Sequence, residues 1–462
     1  MASNTANDFS SLKIASAQLK NLHDLGYEQM TPIQEQSLPV VLAGKDLIAQ
    51  AKTGSGKTAA FGIGLLEKIN PANQDVQALV LCPTRELADQ VGRELRRLAR
   101  AVGNIKLVSL CGGKPLGPQK ISLRHGAHIV VGTPGRLLDH LQRESLRLQG
   151  LQTLVFDEAD RMLDMGFADA IKHIMRFAPR KRQTLLFSAT YPAEIKAISA
   201  SFQRNPTFVN VDTEHSDDVI EQLFYEVSQQ ERNKTLLALF SHYKLTSALV
   251  FCHTKVSCDQ VAKLLRENQI QALALHGDLD QRQRDRVLLQ FANNSCAVLV
   301  ATDVAARGLD VKSLPAVINY ELPRDAKTYI HRIGRTGRAG ASGIALSIVT
   351  QSEQARLKDI EAELPEPCVF DVLASLDQDP GYSLRAPMVT LEINAGRKQK
   401  LRPGDILGGL TGAGGLPGSA IGKIDIFDMN SFVGIEKGDA KNALAFLSTG
   451  KVKGRSVKAR RI

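Results

Sequence analysis

The sequence predicts an α/β chain in which two parallel-sheet domains, each covered by helices, precede a small α+β domain. Three observations carry this reading. Short apolar runs alternate with helical periodicity through the first two thirds, the alternation stops twice, and the texture changes after the second stop. The runs at 78–82, 128–131, 154–156 and 184–187 read as buried parallel strands. Between the first two, Leu87, Val91, Leu95 and Leu98 recur at helical spacing, so 86–100 reads as an amphipathic helix. A polar stretch at 205–218 interrupts the pattern. It restarts with apolar runs at 248–251, 272–275, 297–300 and 316–318, a second sheet. The second stop, 364–387, contains Pro365, Pro367, Pro380 and Pro387. Beyond it come a strand at 388–393 and a short helix at 402–410 opened by Pro403 and Asp405. A strand pair at 421–427 and 432–435, a helix through Ala440, Ala443, Leu444 and Leu447, and a last basic strand at 451–462 complete the chain. The order βαββαβ predicts a split-βαβ sandwich. The expected domains are 1–208, 219–365 and 387–462, with 366–386 as a linker.

Composition narrows the class of function. Of 462 residues, 43% are hydrophobic and 23% charged, as in folded globular chains, and no apolar run approaches the ~20 residues that span a bilayer. The polar start has no signal-peptide pattern, so a cytoplasmic protein without membrane contact is expected. Six cysteines lie without metal spacing, which predicts ordinary reduced thiols and no zinc. The net charge of +10 is uneven: residues 386–462 hold 13 Lys/Arg against 6 Asp/Glu. A basic module on a nearly neutral body suits either a polyanion such as nucleic acid or a solubilising surface.

Three motifs carry chemistry. Ala51-Lys52-Thr53-Gly54-Ser55-Gly56-Lys57-Thr58 lies between an apolar strand and an apolar helix, the setting of a phosphate cradle. Backbone amides would converge on phosphates, Lys57 would reach the outer ones, and the Thr58 hydroxyl would bind Mg²⁺. Ala51 stands where the general pattern has Gly. Asp157 and Glu158 directly follow the apolar run 154–156, where a carboxylate can hold a nucleotide-bound metal beside the cradle. Asp157 would hold Mg²⁺ directly or through water, and Glu158 would orient or deprotonate the attacking water. Arg332, Arg335 and Arg338 fall in the second domain. An arginine placed on a developing γ-phosphate charge is worth much in phosphoryl transfer, and Arg335 and Arg338 are the candidates.

These segments resemble the DEAD-box RNA helicases, in the family's order, from about Phe9 to Ala362, and Asp157–Asp160 spell the family's name. The resemblance implies two RecA-like domains, ATP and Mg²⁺ as cofactors, RNA as partner, and RNA-dependent ATP hydrolysis that locally unwinds short duplexes. By that likeness Gln34 reads the adenine edge, Tyr27 (usually Phe) stacks on the ring and Phe9 supports the pocket. Pro83, Thr84, Arg85, Gly112, Gly113, Thr133, Pro134, Gly135 and Arg136 match RNA-backbone contacts of the first domain. Ser188 and Thr190 match the link between hydrolysis and RNA engagement, with Asp303 and His331 as further coupling residues. In the second domain Thr254, Arg284, Thr302 and Arg307 match RNA contacts, and Gly308 and Asp310 match nucleotide contacts.

The C-terminal module resembles an RNA-recognition motif and, more narrowly, the reader domain of DbpA-type bacterial helicases. That likeness implies a hairpin of 23S ribosomal RNA as target, precursors of the 50S subunit as substrate, and no obligate protein partner. Its third strand offers one aromatic, Phe432, so affinity is expected to lean on Lys423, Lys451, Lys453, Arg455, Lys458 and Arg460 and to fall with salt.

Overall fold

A computed structural model of the chain describes residues 7–51, 54–211, 220–306, 314–337, 343–364, 367–377, 379 and 381–462. The chain divides near residue 214 into two compact units.

The first unit is built on β1 (Leu47–Gln50), β2 (Ala78–Leu81), β3 (Leu107–Leu110), β4 (Ile129–Gly132), β5 (Thr153–Phe156), β6 (Gln183–Ser188) and β7 (Thr207–Asn210). They form one parallel sheet in the order β3-β4-β2-β5-β6-β1-β7. The central strands are buried on both faces because helices cover both, which is why they read as unbroken apolar runs. The predicted amphipathic helix is Arg85–Leu98, started by the Thr84 hydroxyl, which accepts the Leu87 N–H at 3.2 Å. Beyond Thr58 the helix Lys57–Leu66 is apolar on every side and buried, with the Phe61 and Phe187 rings 5.3 Å apart between it and β6. Strand β3, half-buried and near the sheet edge, had no clear apolar run to announce it.

The second unit opens with β8 (Ile220–Glu226), β9 (Ala248–Cys252), β10 (Ala272–Leu275), β11 (Val298–Thr302), β12 (Ala316–Asn319), β13 (Gly343–Val349) and β14 (Val369–Asp371). Their order, β10-β11-β9-β12-β13-β8-β14, repeats that of the first sheet strand for strand, again all parallel. The segment expected as a linker therefore carries β14, the counterpart of β7. Leu376, Leu384 and Ala386 further along it are buried in the second domain's core.

The C-terminal domain contains β15 (Met388–Ile393), β16 (Ile421–Ile426), β17 (Ser431–Glu436), β18 (Lys451–Val452), β19 (Arg455–Ser456) and β20 (Ala459–Arg461). Four of these form an antiparallel sheet, β16-β17-β15-β20, as a split-βαβ sandwich requires. The single last strand expected over 451–462 is instead a β18–β19 hairpin followed by β20. Lys453 and Gly454 both take left-handed backbone (φ 52° and 74°), and the Lys-Gly pair makes the turn that the basic run concealed. Among the described residues no helix is long and apolar enough to cross a membrane.

Phe61 is fully buried and fixes the helix Lys57–Leu66 to the sheet. Phe61→Ala should cost about 3–5 kcal/mol of first-domain stability, read as a lower urea midpoint by far-UV circular dichroism, since the chain has no Trp.

Candidate functional site

In the first sheet β5, β6 and β1 are neighbours, and their carboxyl ends carry Asp157 and Glu158, Ser188, and the loop from Ala51. The Ala51 N–H donates to the Ser188 carbonyl at 3.0 Å, so the predicted phosphate loop leaves the sheet in contact with the predicted coupling segment. Gly54 and Gly56 adopt φ of 91° and 96°, which side-chain-bearing residues rarely do. Gly56 also leaves no room: a Cβ there would lie 2.5 Å from Gln34 Nε2. Gln34 Nε2 donates to the Gly56 carbonyl at 3.1 Å, and its Oε1 accepts the Thr31 N–H at 3.0 Å. The Thr31 hydroxyl donates to the Ser55 carbonyl at 2.8 Å. The helix Pro32–Leu42 is thereby tied at its start to the glycine loop. Ser55 and Thr58 are partly exposed, whereas Lys57 is buried with its ammonium donating to the Ala51 carbonyl at 2.8 Å.

Asp157 is buried at the tip of β5. Burial pushes its carboxyl up to about 7, against the pull of Lys57 and with the help of Glu158. Glu158 has left-handed backbone (φ 53°, ψ 54°) and heads the helix Ala159–Asp164, with its carboxylate 3.2 Å from Arg161 Nη1. Such a conformation in a non-glycine residue is held by its surroundings at a cost. Asp160, buried alongside, accepts from the Thr190 N–H at 3.1 Å and from the Thr190 hydroxyl at 3.0 Å. Its own N–H donates to Ser188 Oγ at 3.3 Å. One carboxylate thus joins the segment after β5 to the segment after β6.

Phe9 is buried and meets Tyr27 edge-on, with ring centroids 6.3 Å apart. The Tyr27 hydroxyl donates to Glu94 Oε1 at 2.5 Å, and Arg97 holds the other Glu94 oxygen at 2.8 Å. Burial first, then the Glu94 carboxylate, raise the phenol's pKa. The tyrosine that stands for the usual phenylalanine therefore fastens its ring to the helix Arg85–Leu98.

The remaining strands of that sheet, β3-β4-β2, carry a different set. Pro83, Thr84 and Arg85 follow β2, Gly112 and Gly113 follow β3, and Thr133 to Arg136 follow β4. These segments touch. A Cβ on Gly112 would lie 3.2 Å from the Arg85 guanidinium. Arg136 Nη1 donates to the Lys114 carbonyl at 2.9 Å and to Gln119 Oε1 at 2.8 Å. Thr133, Pro134 and Gly135 lead into the helix Pro134–Gln142.

The second sheet repeats the division. Thr254 follows β9, Arg284 lies on the helix Gln281–Ala292 after β10, and Thr302 ends β11. Thr254 also caps the helix Lys255–Glu267 by accepting the Ser257 N–H at 3.0 Å. Arg332 is packed in the interior. It lies on the helix Ala326–Ile333, fully buried, with two bonds to Asp303 (2.6 and 2.8 Å), one to Asn319 Oδ1 (2.9 Å) and one to the Glu321 carbonyl (2.7 Å). Its guanidinium also stacks 4.8 Å from the Phe251 ring. Asp303 is engaged by this arginine. His331 is half-buried on the same helix, and Arg335 is buried just past its end. Lys52, Thr53, Arg307, Gly308, Asp310 and Arg338 lie outside the described residues.

In the C-terminal domain several expected cations have internal partners: Lys423 with Asp425 (3.3 Å), Lys453 with Asp405 (3.0 Å), and Arg460 with Glu392 (2.7 Å). Arg455 reaches the Gln399 carbonyl at 3.3 Å. Lys451 and Lys458 are exposed. Phe432 is partly exposed, and Phe427, which sequence reasoning overlooked, meets it edge-on at 5.6 Å. A cavity of about 130 Å³ opens beside the β18–β19 hairpin, lined by Gln399, Leu401, Lys453 and Arg455.

A glycine loop, a buried acidic strand end and a second sheet of identical topology define a two-domain nucleoside-triphosphate-dependent motor. The comparisons make the class specific. Residues 31–198 match the DEAD/DEAH box helicase model, 231–340 the helicase conserved C-terminal domain, and 390–461 the DbpA RNA binding domain. The chain belongs to the DEAD-box RNA helicases, ATP-dependent enzymes, and carries a DbpA-type RNA-binding domain. It is 52% identical to the ATP-dependent RNA helicase DbpA of Escherichia coli, over 98% of this chain and 99% of that one. It is 45% identical to the DEAD-box ATP-dependent RNA helicase CshA of Bacillus subtilis, over 84% and 80%. Among solved structures it resembles S. cerevisiae Dbp5 bound to RNA and ADP BeF3, with a TM-score of 0.73 and 32% identity, covering 80% of this chain and 96% of that one.

Two substitutions separate packing from chemistry. Tyr27→Phe should lower first-domain stability by about 0.5–1.5 kcal/mol in urea, the value of one partly buried hydrogen bond. Arg332→Ala should cost about 3–5 kcal/mol in the second domain by leaving buried partners unpaired, measured the same way.

Proposed function

We propose that this chain is an RNA-dependent ATPase that locally unwinds short RNA duplexes, directed by its C-terminal domain to a hairpin of 23S ribosomal RNA during assembly of the 50S subunit. The division of the first sheet supports the reading best. The ends of β5-β6-β1 gather a phosphate loop and buried carboxylates, and the ends of β3-β4-β2 gather small residues and arginines suited to a phosphate backbone. Contacts of the second kind carry no base information, so selection of one RNA falls to the C-terminal domain.

The residues present fit a nucleoside triphosphate with Mg²⁺. Lys57 is a buried cation beside left-handed glycines, and Asp157 is a buried carboxyl whose ionised form a dication favours. Bound Mg²⁺ would neutralise phosphate charge. Thr58 and Asp157 would hold it, directly or through water, and Lys57 would bind the outer phosphates. Glu158 would orient or deprotonate the attacking water, and Arg335, with Arg338, would meet the γ-phosphate. Gln34, Tyr27 and Phe9 would hold the adenine. Ser188 and Thr190, bonded to Asp160 one turn beyond the two acidic residues, would report the state of the nucleotide to the RNA-facing segments. The identity over nearly the full length to a relative named DbpA, together with the matched RNA-binding domain, supports the ribosomal target. RNA held by Lys451, Lys458 and the hairpin cations makes binding salt-dependent, and Phe432 with Phe427 offers a stacking surface.

Steady-state ATP hydrolysis, measured without RNA, with an unrelated RNA and with 23S ribosomal RNA, tests the reading. Strong stimulation by the ribosomal RNA alone is expected. Equal stimulation by any RNA would leave the helicase and remove the specific target. Stimulation absent with every RNA would favour a nucleotide-gated RNA clamp instead. Glu158→Gln should lower RNA-stimulated kcat by at least about 100-fold while ATP still binds, checked by fluorescent-nucleotide titration.

A further inference from the structure

The helix Leu116–Arg124 follows the Gly112–Gly113 segment and buries a single residue, Gln119. The choice inverts the usual preference, because Ile121 of the same helix is 56% exposed. The buried amide is bonded in three directions. Gln119 Nε2 donates to the Cys111 carbonyl at 3.0 Å, directly before the two glycines. Its Oε1 accepts from Arg136 Nη1 at 2.8 Å and lies 2.9 Å from His140 Nε2. Arg136 Nη1 also donates to the Lys114 carbonyl at 2.9 Å, directly after the two glycines. The segment after β3 and the arginine after β4 are therefore fixed to each other through one side chain.

His140 continues the chain of bonds inward. It is fully buried near the end of the helix Pro134–Gln142, with Nδ1 2.8 Å from Ser145 Oγ. An amide oxygen only accepts, so Nε2 carries the proton and Nδ1 accepts the Ser145 hydroxyl. Burial, then the charge of Arg136, hold the imidazole below the usual histidine range, which suits a neutral ring in this tautomer. Apolar side chains would fill the same space without desolvating so many polar groups. What the polar chain gains lies at its outer end, where the Arg136 side chain is 16% exposed. Both inward bonds leave from Nη1, with Asp139 3.8 Å from Nε, and Nη2 makes no hydrogen bond among the described residues. Next to it, a Cβ on Gly135 would meet no atom within 4 Å, so the space there is open.

We propose that Gln119, itself oriented by His140, is a positioning residue for RNA. It aims the Arg136 guanidinium and sets the Gly112–Gly113 segment before RNA arrives, and it touches neither RNA nor nucleotide. Without it, Arg136 keeps its charge but loses its direction, and one phosphate contact is lost. This inference rests on the function proposed above, in which Arg136 meets the RNA backbone.

The test measures binding of a short, fluorescently labelled unrelated single-stranded RNA to the full chain with a non-hydrolysable ATP analogue, by anisotropy across a salt series. Arg136→Ala should weaken binding about tenfold and reduce the slope of log K against log salt by about 0.7, the value of one phosphate contact on a single strand. Gln119→Leu should weaken binding about fivefold with the same loss of slope, although it removes no charge. The double variant should bind within twofold of Arg136→Ala alone. His140→Leu should reproduce the defect, and His140→Gln, whose amide can supply the Nε2 donor, should restore binding to within twofold of the unsubstituted chain. Affinity for the nucleotide analogue alone should stay within twofold throughout, which also reports a folded first domain. If Gln119→Leu fails that control, the two His140 variants decide. Arg136→Ala without effect would overturn both the RNA contact and its positioning. A defect in Arg136→Ala with none in Gln119→Leu would overturn the positioning alone. So would an unchanged salt slope in Gln119→Leu, a double variant that multiplies the two losses, or His140→Gln as weak as His140→Leu.

Discussion

The first unit turns on one buried carboxylate. Asp160 accepts two hydrogen bonds from Thr190 and its own N–H donates to Ser188 Oγ, so the peptide after β5 and the peptide after β6 are held as a pair. Because β6 lies between β5 and β1, and Ala51 leaves β1 bonded to the Ser188 carbonyl, the phosphate loop inherits its position from the same pair. A buried ionisable group of this kind is expensive unless its acceptors are used; here Oδ2 takes both Thr190 bonds and Oδ1 accepts the Arg161 N–H at 3.0 Å. The acidic strand end, the coupling segment and the glycine loop are thus one bonded assembly.

The parallel topology then decides what can be adjacent to what. The order β3-β4-β2-β5-β6-β1 brings the glycine loop after β1 and the acidic end of β5 to either side of β6, and sets the segments after β2, β4 and β3 side by side beyond them. The helix Arg85–Leu98 crosses the division. Arg85 at its start meets the Gly112 segment, and Glu94 near its end holds the Tyr27 ring. The second sheet has the same order, β14 included.

Much of this was legible in the amino-acid sequence because the fully buried strands are continuous apolar runs and the glycine and acidic motifs have fixed spacing. What was not legible has physical reasons. Edge strands such as β3 and β14 bury one face or less, so their composition does not separate them from loops. Arg332 reads like its neighbour Arg335, and only the approach of Asp303, Asn319 and Phe251 from three other elements shows that its guanidinium is packed. Glu94 is an ordinary surface-type residue on an amphipathic helix until the fold brings a phenol to it. The turn at Lys453 and Gly454 was hidden by a basic run that continues on both sides.

The left-handed backbone at Glu158 limits how that position can be interrogated. A β-branched or bulky replacement there meets a steric penalty before any chemistry is lost, of order 1–3 kcal/mol, and glycine relieves it. A saturation scan would therefore rank substitutions by two overlaid preferences, one for backbone and one for a carboxylate. Only residues with the same branching as glutamate hold the first constant. In an evolutionary setting the same overlay narrows the routes by which this position can drift, because many single changes here lose stability along with the carboxylate.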